Sequence, residues 1–309
     1  MGFDDMDVGT IWLDGEFVDW EEATVHVLSH ALHYGTGVFE GVRCYDTEHG
    51  PAIFRWDAHL ERLYASAKPY GIEIPYEPDE LTGATTELIR REELDSCYIR
   101  PIAFVGYDRL GLNPTDIPIQ VAVACWPWGA YLGEEAIEEG VDIGVSSWRK
   151  YGSDQIPTNA KTTGAYVNSV LASLEARRHG YTEALVLNEE GEVAEGPGEN
   201  LFLVRDGEIY TTGLAEAILD GITRRSVIEV AQDLGYTVHD QATISRGEVY
   251  TADELFFTGT AAEVTPIRTV DDIEIGTGTK GPVTDDIQTT FFDIVEGRES
   301  GYEDWFTYV

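Results

Sequence analysis

The segment Ile156-Pro157-Thr158-Asn159-Ala160-Lys161-Thr162-Thr163-Gly164-Ala165-Tyr166 joins a polar, proline-containing loop to a stretch with helical periodicity. The chain has only four lysines, Lys68, Lys150, Lys161 and Lys280, and Lys161 stands at this junction. Lysine is the residue that forms Schiff bases with carbonyl cofactors, so the segment contains a candidate catalytic amine. Taken alone, however, the segment fits a solvated lysine in the first turn of a helix better. The choice between the two interpretations depends on the motifs elsewhere in the chain.

The pattern of apolar residues predicts short strands and helices in both halves of the chain. Asp14-Gly15 marks the turn of a hairpin near the N-terminus. After the Lys161 segment we predict a helix from about residue 164 to residue 178, with an apolar face formed by Tyr166, Val170, Leu171 and Leu174. Further helices are predicted at 59–67, 81–93, 223–234 and 284–297, and further strands at 97–105, 119–123, 142–147, 183–188, 193–195, 200–205, 208–211 and 254–258. This mixture predicts an α+β fold rather than a doubly wound sheet.

The length of 309 residues and the hydrophobic content of 43% predict two domains with substantial cores. Pro127, Gly129, Gly133 and Gly140 indicate that residues 126–140 form a connection between them. We therefore expect a smaller N-terminal domain over residues 1–125. A larger C-terminal domain over residues 141–309 is expected to carry the lysine of the junction.

The chain is strongly acidic, with 57 aspartates and glutamates against 20 lysines and arginines and a formal net charge of −37. The acidic residues are spread over the whole sequence, which is typical of proteins from salt-loving organisms, where molar salt screens the repulsion. An acidic mimic of nucleic acid is a weaker alternative, because the chain has enough apolar residues for a full core. Binding of nucleic acid through a basic face is not expected, since the arginines are diluted by acidic residues throughout.

Cys44, Cys97 and Cys125 are odd in number and form no CxxC motif. They predict neither a disulfide framework nor a metal site, and they fit a reducing compartment. The first residues are acidic and lack the basic-then-apolar pattern of a signal peptide. The most apolar stretch, residues 117–132, is interrupted by proline and glutamine and is not expected to span a membrane. We therefore expect a cytoplasmic protein.

Three further motifs provide groups that a phosphorylated pyridine cofactor needs. Glu195 follows a predicted strand and precedes a Gly-Pro-Gly turn, where a carboxylate can face a pyridine nitrogen; alone it is one acidic residue among 57. Gly221-Ile222-Thr223-Arg224-Arg225 begins a helix and offers free backbone N–H groups to a phosphate, although simple helix capping is the commoner use. Thr258-Gly259-Thr260-Ala261-Ala262 is a second phosphate candidate or a plain tight turn. Arg62 is a candidate bidentate donor to the phosphate.

In combination and order these motifs resemble the branched-chain amino acid aminotransferases, enzymes of pyridoxal phosphate fold type IV. The resemblance runs from about Ile11 to Phe292 and rests on seven blocks of sequence. The blocks are residues 29–43, 98–101, 127–133, the Lys161 segment, Glu195–Phe202, Gly221–Arg224 and 258–266. It implies a two-domain α+β enzyme with a smaller α/β domain and a larger domain with a mixed, barrel-like sheet. It also implies an active site between the domains and near a dimer interface, in a homodimer or larger homo-oligomer.

The resemblance assigns a role to each matching residue. Lys161 would hold pyridoxal 5'-phosphate as a Schiff base, Glu195 would pair with its pyridine nitrogen and Tyr166 with its ring hydroxyl. The other cofactor contacts would be Arg62, Ile222, Thr223 and Thr260 at the phosphate and Leu219 against the ring. The apolar substrate pocket would be formed by Tyr34, Phe39, Trp128, Tyr131 and Tyr166. The substrate α-carboxylate would be bound by Gly41, Thr260 and Ala261, with Tyr98 and Arg100 close by. Arg100 would also bind the distal carboxylate of glutamate.

The implied reaction is amino transfer between leucine, isoleucine or valine and 2-oxoglutarate, giving the branched 2-oxo acid and glutamate. Within the same fold, a D-amino acid aminotransferase and an aminodeoxychorismate lyase are alternatives. A non-enzymatic acidic binding protein is an alternative from another class. The loop Tyr107-Asp108-Arg109-Leu110 differs in sequence among members of the family, so the preference among side chains is not predicted.

Overall fold

The computed structural model of the chain describes residues 8–129 and 132–309. Two compact units account for it. The first contains the residues up to Trp128 together with Ala160–Ala165 and Ile294–Val309. The second contains Gly129–Asn159 and Tyr166–Asp293. Both units combine helices with a large sheet, so the predicted α+β class is confirmed.

In the first unit the described strands form one eight-stranded sheet in which all pairs are antiparallel. Its strands are β1 (Thr10–Leu13), β2 (Glu16–Asp19), β3 (Gly37–Phe39), β4 (Val42–Thr47), β5 (Gly50–Phe54), β6 (Cys97–Val105), β7 (Ile119–Trp126) and β17 (Phe306–Tyr308). The order is β17-β5-β4-β6-β7-β1-β2, and β3 pairs with β6. The predicted hairpin is confirmed, because Asp14 and Gly15 both have positive φ angles, 48° and 95°, as a type I′ turn requires.

The helices of the first unit are α1 (His30–Tyr34), α2 (Trp56–Ala67) and α3 (Pro78–Arg91). In α2 the sequence predicts an apolar face of Leu60, Leu63, Tyr64 and Ala67. Leu60, Leu63 and Ala67 are buried together with Trp56, and Tyr64 is partly buried against the same core, so the face is confirmed. These residues pack into the core formed with the sheet. A proline in the first turn and a capping box between Glu77 and Glu80 fix the start of α3. Short 3-10 turns lie at Trp20–Glu22, Lys68–Tyr70 and Glu303–Trp305.

In the second unit the described strands form a nine-stranded sheet of mixed direction. Its strands are β8 (Val141–Arg149), β9 (Glu183–Leu187), β10 (Val193–Glu195), β11 (Asn200–Arg205), β12 (Glu208–Thr212), β13 (Val238–Ala242), β14 (Glu254–Gly259), β15 (Glu263–Val270) and β16 (Ile273–Glu274). The order is β10-β9-β8-β15-β14-β11-β12-β13, with β16 on β15. The sheet curls until its ends meet: Val193 N in β10 donates to Ile244 O beyond β13 at 2.8 Å. The predicted barrel-like form is therefore confirmed.

The helices that follow Gly129 are α4 (Glu134–Glu139), α5 (Tyr166–His179), α6 (Ile222–Asp233), α7 (Arg246–Val249) and α8 (Pro282–Val295), with a 3-10 turn at Leu214–Glu216. Helix α5 lies where the periodicity predicts it, but its predicted apolar face is wrong. Val170 and Leu174 are 54% and 46% exposed, whereas Ala172 and Ala176 are buried. The two alanines pack on Ala184 and Val186 of β9, because small side chains let the helix approach the sheet closely.

The compact units differ from the predicted division of the chain in two places. The segment Ala160–Ala165 belongs to the first unit, because its backbone is hydrogen-bonded to residues of that unit. Lys161 therefore lies in the first unit and not in the predicted C-terminal domain. The C-terminal segment also returns to the first unit, where Thr307 in β17 pairs with Ile53 in β5. Both segments join the first unit through contacts with residues far away in sequence. A prediction that divides the chain into continuous ranges cannot assign such segments.

No helix of the described ranges is long and apolar enough to cross a membrane. Among those same residues no group of three His, Cys, Asp or Glu side chains is arranged to hold a metal ion. The three cysteines are free and buried.

Candidate active site

Lys161 lies five residues before the start of α5 at Tyr166, in a segment whose backbone is hydrogen-bonded to other residues of the first unit. Its carbonyl accepts from Phe39 N at 3.1 Å, and Thr163 N donates to Gly37 O at 2.9 Å. Lys161 N donates to Ser66 Oγ in α2 at 2.9 Å. The lysine is therefore held by β3 and α2 rather than by the helix that follows it in sequence.

The amine of Lys161 has an environment that favours its neutral form. The side chain is partly buried, and Nζ lies 5.0 Å from the centre of the Phe39 ring. Burial, followed by the positive charge of Arg62, lowers the pKa of Lys161 to about 8. At pH 7 roughly a tenth of this amine is therefore unprotonated and nucleophilic, far more than of an exposed lysine.

Arg62 is fixed by a buried acidic residue. Its Nε and Nη2 donate to the two carboxylate oxygens of Glu40 at 2.7 and 2.8 Å. His59 Nδ1 lies 2.7 Å from Glu40 Oε2. Burial alone would raise the pKa of Glu40, but the charge and hydrogen bonds of Arg62, with those of His59, hold it well below its usual range. Burial lowers the pKa of His59, so a neutral imidazole is expected to donate to Glu40.

Replacement of Glu40 by glutamine is expected to lower the free energy of unfolding by about 3–5 kcal/mol at pH 7, because Arg62, whose side chain is only 10% exposed, loses its counter-charge. Urea denaturation in concentrated salt measures this loss. Because the pKa of Glu40 is depressed in the folded state, its stabilisation is fully present above its unfolded pKa of about 4.3 and is lost as the pH falls further. The difference between the two proteins should therefore be constant from pH 8 to about 5 and shrink below that.

The matched control for this change is Glu87→Gln, which removes a carboxylate that accepts from Arg91 Nε at 2.8 Å on the surface of α3. The loss there is expected to be below about 1 kcal/mol, because both side chains are exposed to solvent. Equal losses for the two variants would contradict the importance of the buried pair.

Three of the aromatic residues predicted for the substrate site, Phe39, Tyr98 and Trp128, lie near Arg100 or beside one another in the first unit. The Tyr98 ring lies 4.3 Å from the Trp128 ring, edge to face. The Arg100 guanidinium lies 4.8 Å from the Phe39 ring centre and donates to Tyr98 Oη at 3.1 Å. Its Nε is buried and has no hydrogen-bond partner among the residues that the structure describes. An unsatisfied buried guanidinium N–H is a suitable donor for an anionic substrate group.

Of two other predicted pocket residues of the first unit, Gly41 lies beside this group and Tyr34 lies in α1. At Gly41 an added Cβ would stand 1.9 Å from Tyr98 Oη, so only glycine lets the phenol approach the backbone there. Tyr34 lies in α1 with 42% of its surface exposed, and its ring packs on that of His30 at 4.5 Å. Tyr131 was predicted for the same pocket and lies outside the described residues.

Glu195, in the second unit, is held by donors on both carboxylate oxygens. Oε1 accepts from Lys150 Nζ at 2.5 Å. Oε2 accepts from Asn200 Nδ2 and from Leu219 N, both at 3.0 Å. Asn200 Nδ2 also donates to Leu219 O at 2.9 Å, which ties the loop before α6 to β11. The pairing with Glu195 outweighs burial and raises the pKa of Lys150.

The N-terminus of α6 has the features of an anion site. Gly221 is its N-cap and makes no side-chain cap hydrogen bond, so the N–H groups of the first turn, which includes Ile222 and Thr223, are not satisfied by a cap. A Cβ at Gly221 would stand 2.0 Å from Asn200 Oδ1, which explains the glycine. Arg224 is buried and donates to Thr212 O at 3.0 Å, which fixes this helix end against β12.

The remaining predicted residues of the second unit lie on a hairpin turn and at a helix start. Thr260, Ala261 and Ala262 form the turn between β14 and β15, which Gly259 and Glu263 close as a pair. Thr258 Oγ1, just before this turn, is buried and has no hydrogen-bond partner within the described part of the chain. Tyr166 is the first residue of α5.

These residues fit the cofactor that the motifs imply. The first unit provides an amine of lowered pKa beside a fixed guanidinium. The second provides a buried carboxylate, an uncapped helix N-terminus and an unsatisfied buried hydroxyl. The amine of the first unit can bind an aldehyde, and the carboxylate and helix N-terminus of the second unit can bind a pyridine nitrogen and a phosphate.

Residues 37–270 match the family model for amino-transferase class IV, which is more than half of the chain. The chain belongs to the class IV aminotransferases. It is 49% identical over 301 residues to the branched-chain-amino-acid aminotransferase of Pseudomonas aeruginosa, covering 97% of both chains. The crystal structure of the Escherichia coli branched-chain amino acid aminotransferase superposes with a TM-score of 0.95 at 48% identity, covering 97% of this chain and 98% of that one.

A further class IV structure shows the kind of ligand that a relative binds. The branched-chain amino acid aminotransferase of T.th., complexed with N-(5'-phosphopyridoxyl)-L-glutamate, superposes with a TM-score of 0.94 at 51% identity. The match covers 98% of this chain and 99% of that one. The predicted fold type IV is therefore confirmed.

Sequence reasoning about this class IV aminotransferase missed the side chains that support the candidate site. Lys150 and Asn200 bind Glu195, Glu40 binds Arg62, and His59 binds Glu40. Glu40 and Asn200 stand inside the motifs that carry the resemblance, beside residues that were assigned roles. Lys150 was marked only by the rarity of lysine in the chain.

Proposed function

We infer that the chain is a pyridoxal 5'-phosphate-dependent branched-chain amino acid aminotransferase. It transfers the amino group reversibly between leucine, isoleucine or valine and 2-oxoglutarate. The observation that carries this inference is the 49% identity to enzymes of that name over 97% of the chain. The side chains described above support it, since they provide the amine, the acid and the anion site that the reaction requires.

We propose that Lys161 binds the cofactor covalently and also moves the proton. When bound, the cofactor supplies a ring that accepts the charge left at the substrate Cα when its proton leaves. As a free amine, Lys161 Nζ would take that proton as a general base. The lowered pKa of about 8 supports this role, because a general base works best when its pKa lies near the working pH.

The other predicted contacts keep their proposed roles. Glu195 would hold a proton on the ring nitrogen, Tyr166 would donate to the ring hydroxyl and Leu219 would pack on the ring. The phosphate would be bound by Arg62, Ile222, Thr223 and Thr260. The uncapped start of α6 supports the phosphate role, and the network on both oxygens of Glu195 supports a fixed orientation of its carboxylate.

One pocket has to accept both an apolar and an acidic side chain. Tyr34, Phe39, Trp128, Tyr131 and Tyr166 would enclose the branched side chain. Gly41, Thr260 and Ala261 would bind the α-carboxylate, with Tyr98 and Arg100 beside it. An apolar pocket separates substrates that differ by one methylene by only about 1–3 kcal/mol, so we expect leucine, isoleucine and valine all to be accepted.

Arg100→Ala is expected to raise KM for 2-oxoglutarate and glutamate roughly 10- to 100-fold, since a charge-assisted hydrogen bond to the distal carboxylate is lost. The effect on leucine should be much smaller, because leucine has no distal carboxylate. Steady-state kinetics with each substrate varied in turn measure both effects. Arg91→Ala, which removes an arginine stacked on Phe17 at the surface, is the control and should change neither constant. Equal losses for glutamate and leucine would remove the proposed role.

A half-reaction without second substrate tests the proposed function. The purified protein is mixed in turn with L-leucine, D-alanine and aminodeoxychorismate, and its visible absorbance is followed. Conversion by L-leucine alone is the expected result. Conversion by D-alanine would indicate a D-amino acid aminotransferase, and conversion by aminodeoxychorismate would indicate a lyase. A colourless protein that binds no cofactor would contradict the proposal altogether.

We also propose that the protein forms a homodimer or a larger homo-oligomer in the cytoplasm. Segments 25–34 and 106–112 of the first unit are joined by the hydrogen bond from His30 N to Gly106 O at 2.9 Å. They expose Val27, Leu32 and Leu112 by 70%, 61% and 88%. Clustered exposed apolar side chains are typical of an interface, and three free thiols fit a reducing compartment. A monomeric sedimentation coefficient in molar salt would contradict the assembly.

A further inference from the structure

Lys150 is a buried lysine to which the proposed reaction gives no role. It follows the last residue of β8 and is 7% exposed. Its Nζ lies 2.5 Å from Oε1 of Glu195, which is 5% exposed. Burial of a lysine is unfavourable unless its charge is compensated. The chain has only four lysines, and one of them, Lys150, contacts Glu195, the carboxylate that we propose to face the cofactor.

Lys150 is the positive charge in direct contact with the Glu195 carboxylate. Asn200 and the backbone of Leu219 donate to the other carboxylate oxygen, and both donors are neutral. The other titratable groups that act on the pair are Tyr151, Tyr166 and Arg224. The Tyr151 ring centre lies 5.0 Å from Lys150 Nζ, and Arg224 is directed to Thr212, Asp240 and Asp220.

The position of Lys150 determines where a shared proton would lie. A hydrogen bond between a ring nitrogen and a carboxylate can hold its proton at either end. A cation at the carboxylate end stabilises the form with an ionised carboxylate and a protonated nitrogen, because it lies closer to the negative charge than to the positive one. Without that cation, a buried carboxylate binds the proton more strongly.

We propose that Lys150 is a positioning residue that keeps Glu195 ionised and thereby holds the shared proton on the pyridine nitrogen of the cofactor. The proposal rests on the proposed function, since it needs pyridoxal 5'-phosphate to bind with its ring nitrogen at Glu195. It goes further by assigning the protonation state of the ring to a side chain that does not touch the ring.

The test is the ¹⁵N NMR signal of pyridoxal 5'-phosphate labelled at the ring nitrogen and bound to the holoenzyme in molar KCl. Protonated and neutral pyridine nitrogens have widely separated shifts. In the unaltered protein and in Lys150→Arg, which keeps the charge, we expect the protonated signal. In Lys150→Met at the same pH, the ratio of nitrogen-protonated to carboxyl-protonated forms should fall at least about tenfold. The Lys150→Met protein should also show the infrared band of a protonated carboxyl group. This band should be absent from the double variant Lys150→Met/Glu195→Gln.

Lys280→Met is the matched control, because Lys280 also forms an ion pair in the second unit, with Asp285 at 2.7 Å. Its nitrogen signal should equal that of the unaltered protein. A purely structural role for Lys150 would lower the stability of Lys150→Met but leave the nitrogen signal protonated, and that result would overturn the proposal. Failure of the unaltered protein to bind the labelled cofactor would instead contradict the proposed function.

Two further measurements apply if Lys150→Met does not fold. The Lys150→Gln variant retains a hydrogen-bond donor to Glu195 but no charge. The ¹⁵N signal of its cofactor ring should therefore shift toward the neutral form, as expected for Lys150→Met. In the unaltered holoenzyme labelled with [ε-¹³C]lysine, the four lysines of the chain give few signals to assign. The Lys150 signal should stay at its ammonium position from pH 7 to about 10, since pairing raises the pKa of this lysine. Titration within that range would overturn the proposal.

Discussion

Replacement of Lys161 by alanine is expected to lower kcat for leucine and 2-oxoglutarate by a factor on the order of 10⁴ or more. The same change should abolish the visible absorbance of the covalently attached cofactor. The reason is that one amine is proposed to do two things, to bind the cofactor and to take the substrate proton. The partly buried side chain with its lowered pKa is suited to both. Steady-state assays and an absorbance scan of the purified variant measure the two losses.

Lys68→Ala is the control for this experiment, because Lys68 is exposed at the end of α2 in the same unit. Its activity and absorbance should equal those of the unaltered protein. Circular dichroism establishes that both variants are folded. A folded Lys161→Ala protein with near-normal turnover would refute the assignment.

In dilute buffer the protein is expected to lose its folded structure and to regain it in concentrated KCl. With 57 acidic against 20 basic side chains, at least 37 carboxylates have no lysine or arginine to pair with one to one. The Debye length falls from about 10 Å at 0.1 M salt to about 3 Å at 1 M, so molar salt screens repulsion between neighbouring surface carboxylates. We therefore propose that the chain is adapted to a salt-rich cytoplasm. Far-UV circular dichroism from low to molar salt measures the transition.

Two comparisons separate charge screening from other effects of salt. Sucrose at the same osmolality should not replace KCl, because it leaves the repulsion unscreened. Glu21, Glu190 and Glu299 are exposed, and changing all three to glutamine should lower the KCl concentration at the midpoint of the transition. Circular dichroism that stays constant from dilute buffer to molar salt would contradict the salt adaptation.

The sequence was most informative where structure depends on neighbouring residues. The turn at Asp14-Gly15 and the buried face of α2 follow from turn chemistry and helical period alone, and both are as predicted. The periodicity of α5 also predicted a helix, but not the side that packs on the sheet. Val170 and Leu174 are exposed there, because the contact is made by Ala172 and Ala176. Periodicity reports an apolar stripe, whereas packing depends on the shape of the partner.

Features set by distant residues could not be predicted from local patterns. Lys161 lies in the first unit because Phe39 and Ser66 bind its backbone, and Ser66 is 95 positions away. Lys150 and Glu195 are 45 positions apart, and only the fold brings β8 and β10 close enough for a hydrogen bond of 2.5 Å. The residues assigned by resemblance could be named because whole motifs matched. The motifs alone did not identify the residues that bind these side chains, such as Lys150 at Glu195 and Glu40 at Arg62.

Reductive trapping of the cofactor tests the central claim most directly. Borohydride reduction of the holoenzyme, followed by proteolysis and mass spectrometry, locates the phosphopyridoxyl group on one of only four lysines. We expect a single labelled peptide, with the modification on Lys161. Label on Lys68, Lys150 or Lys280 instead, or no labelled lysine at all, would contradict it.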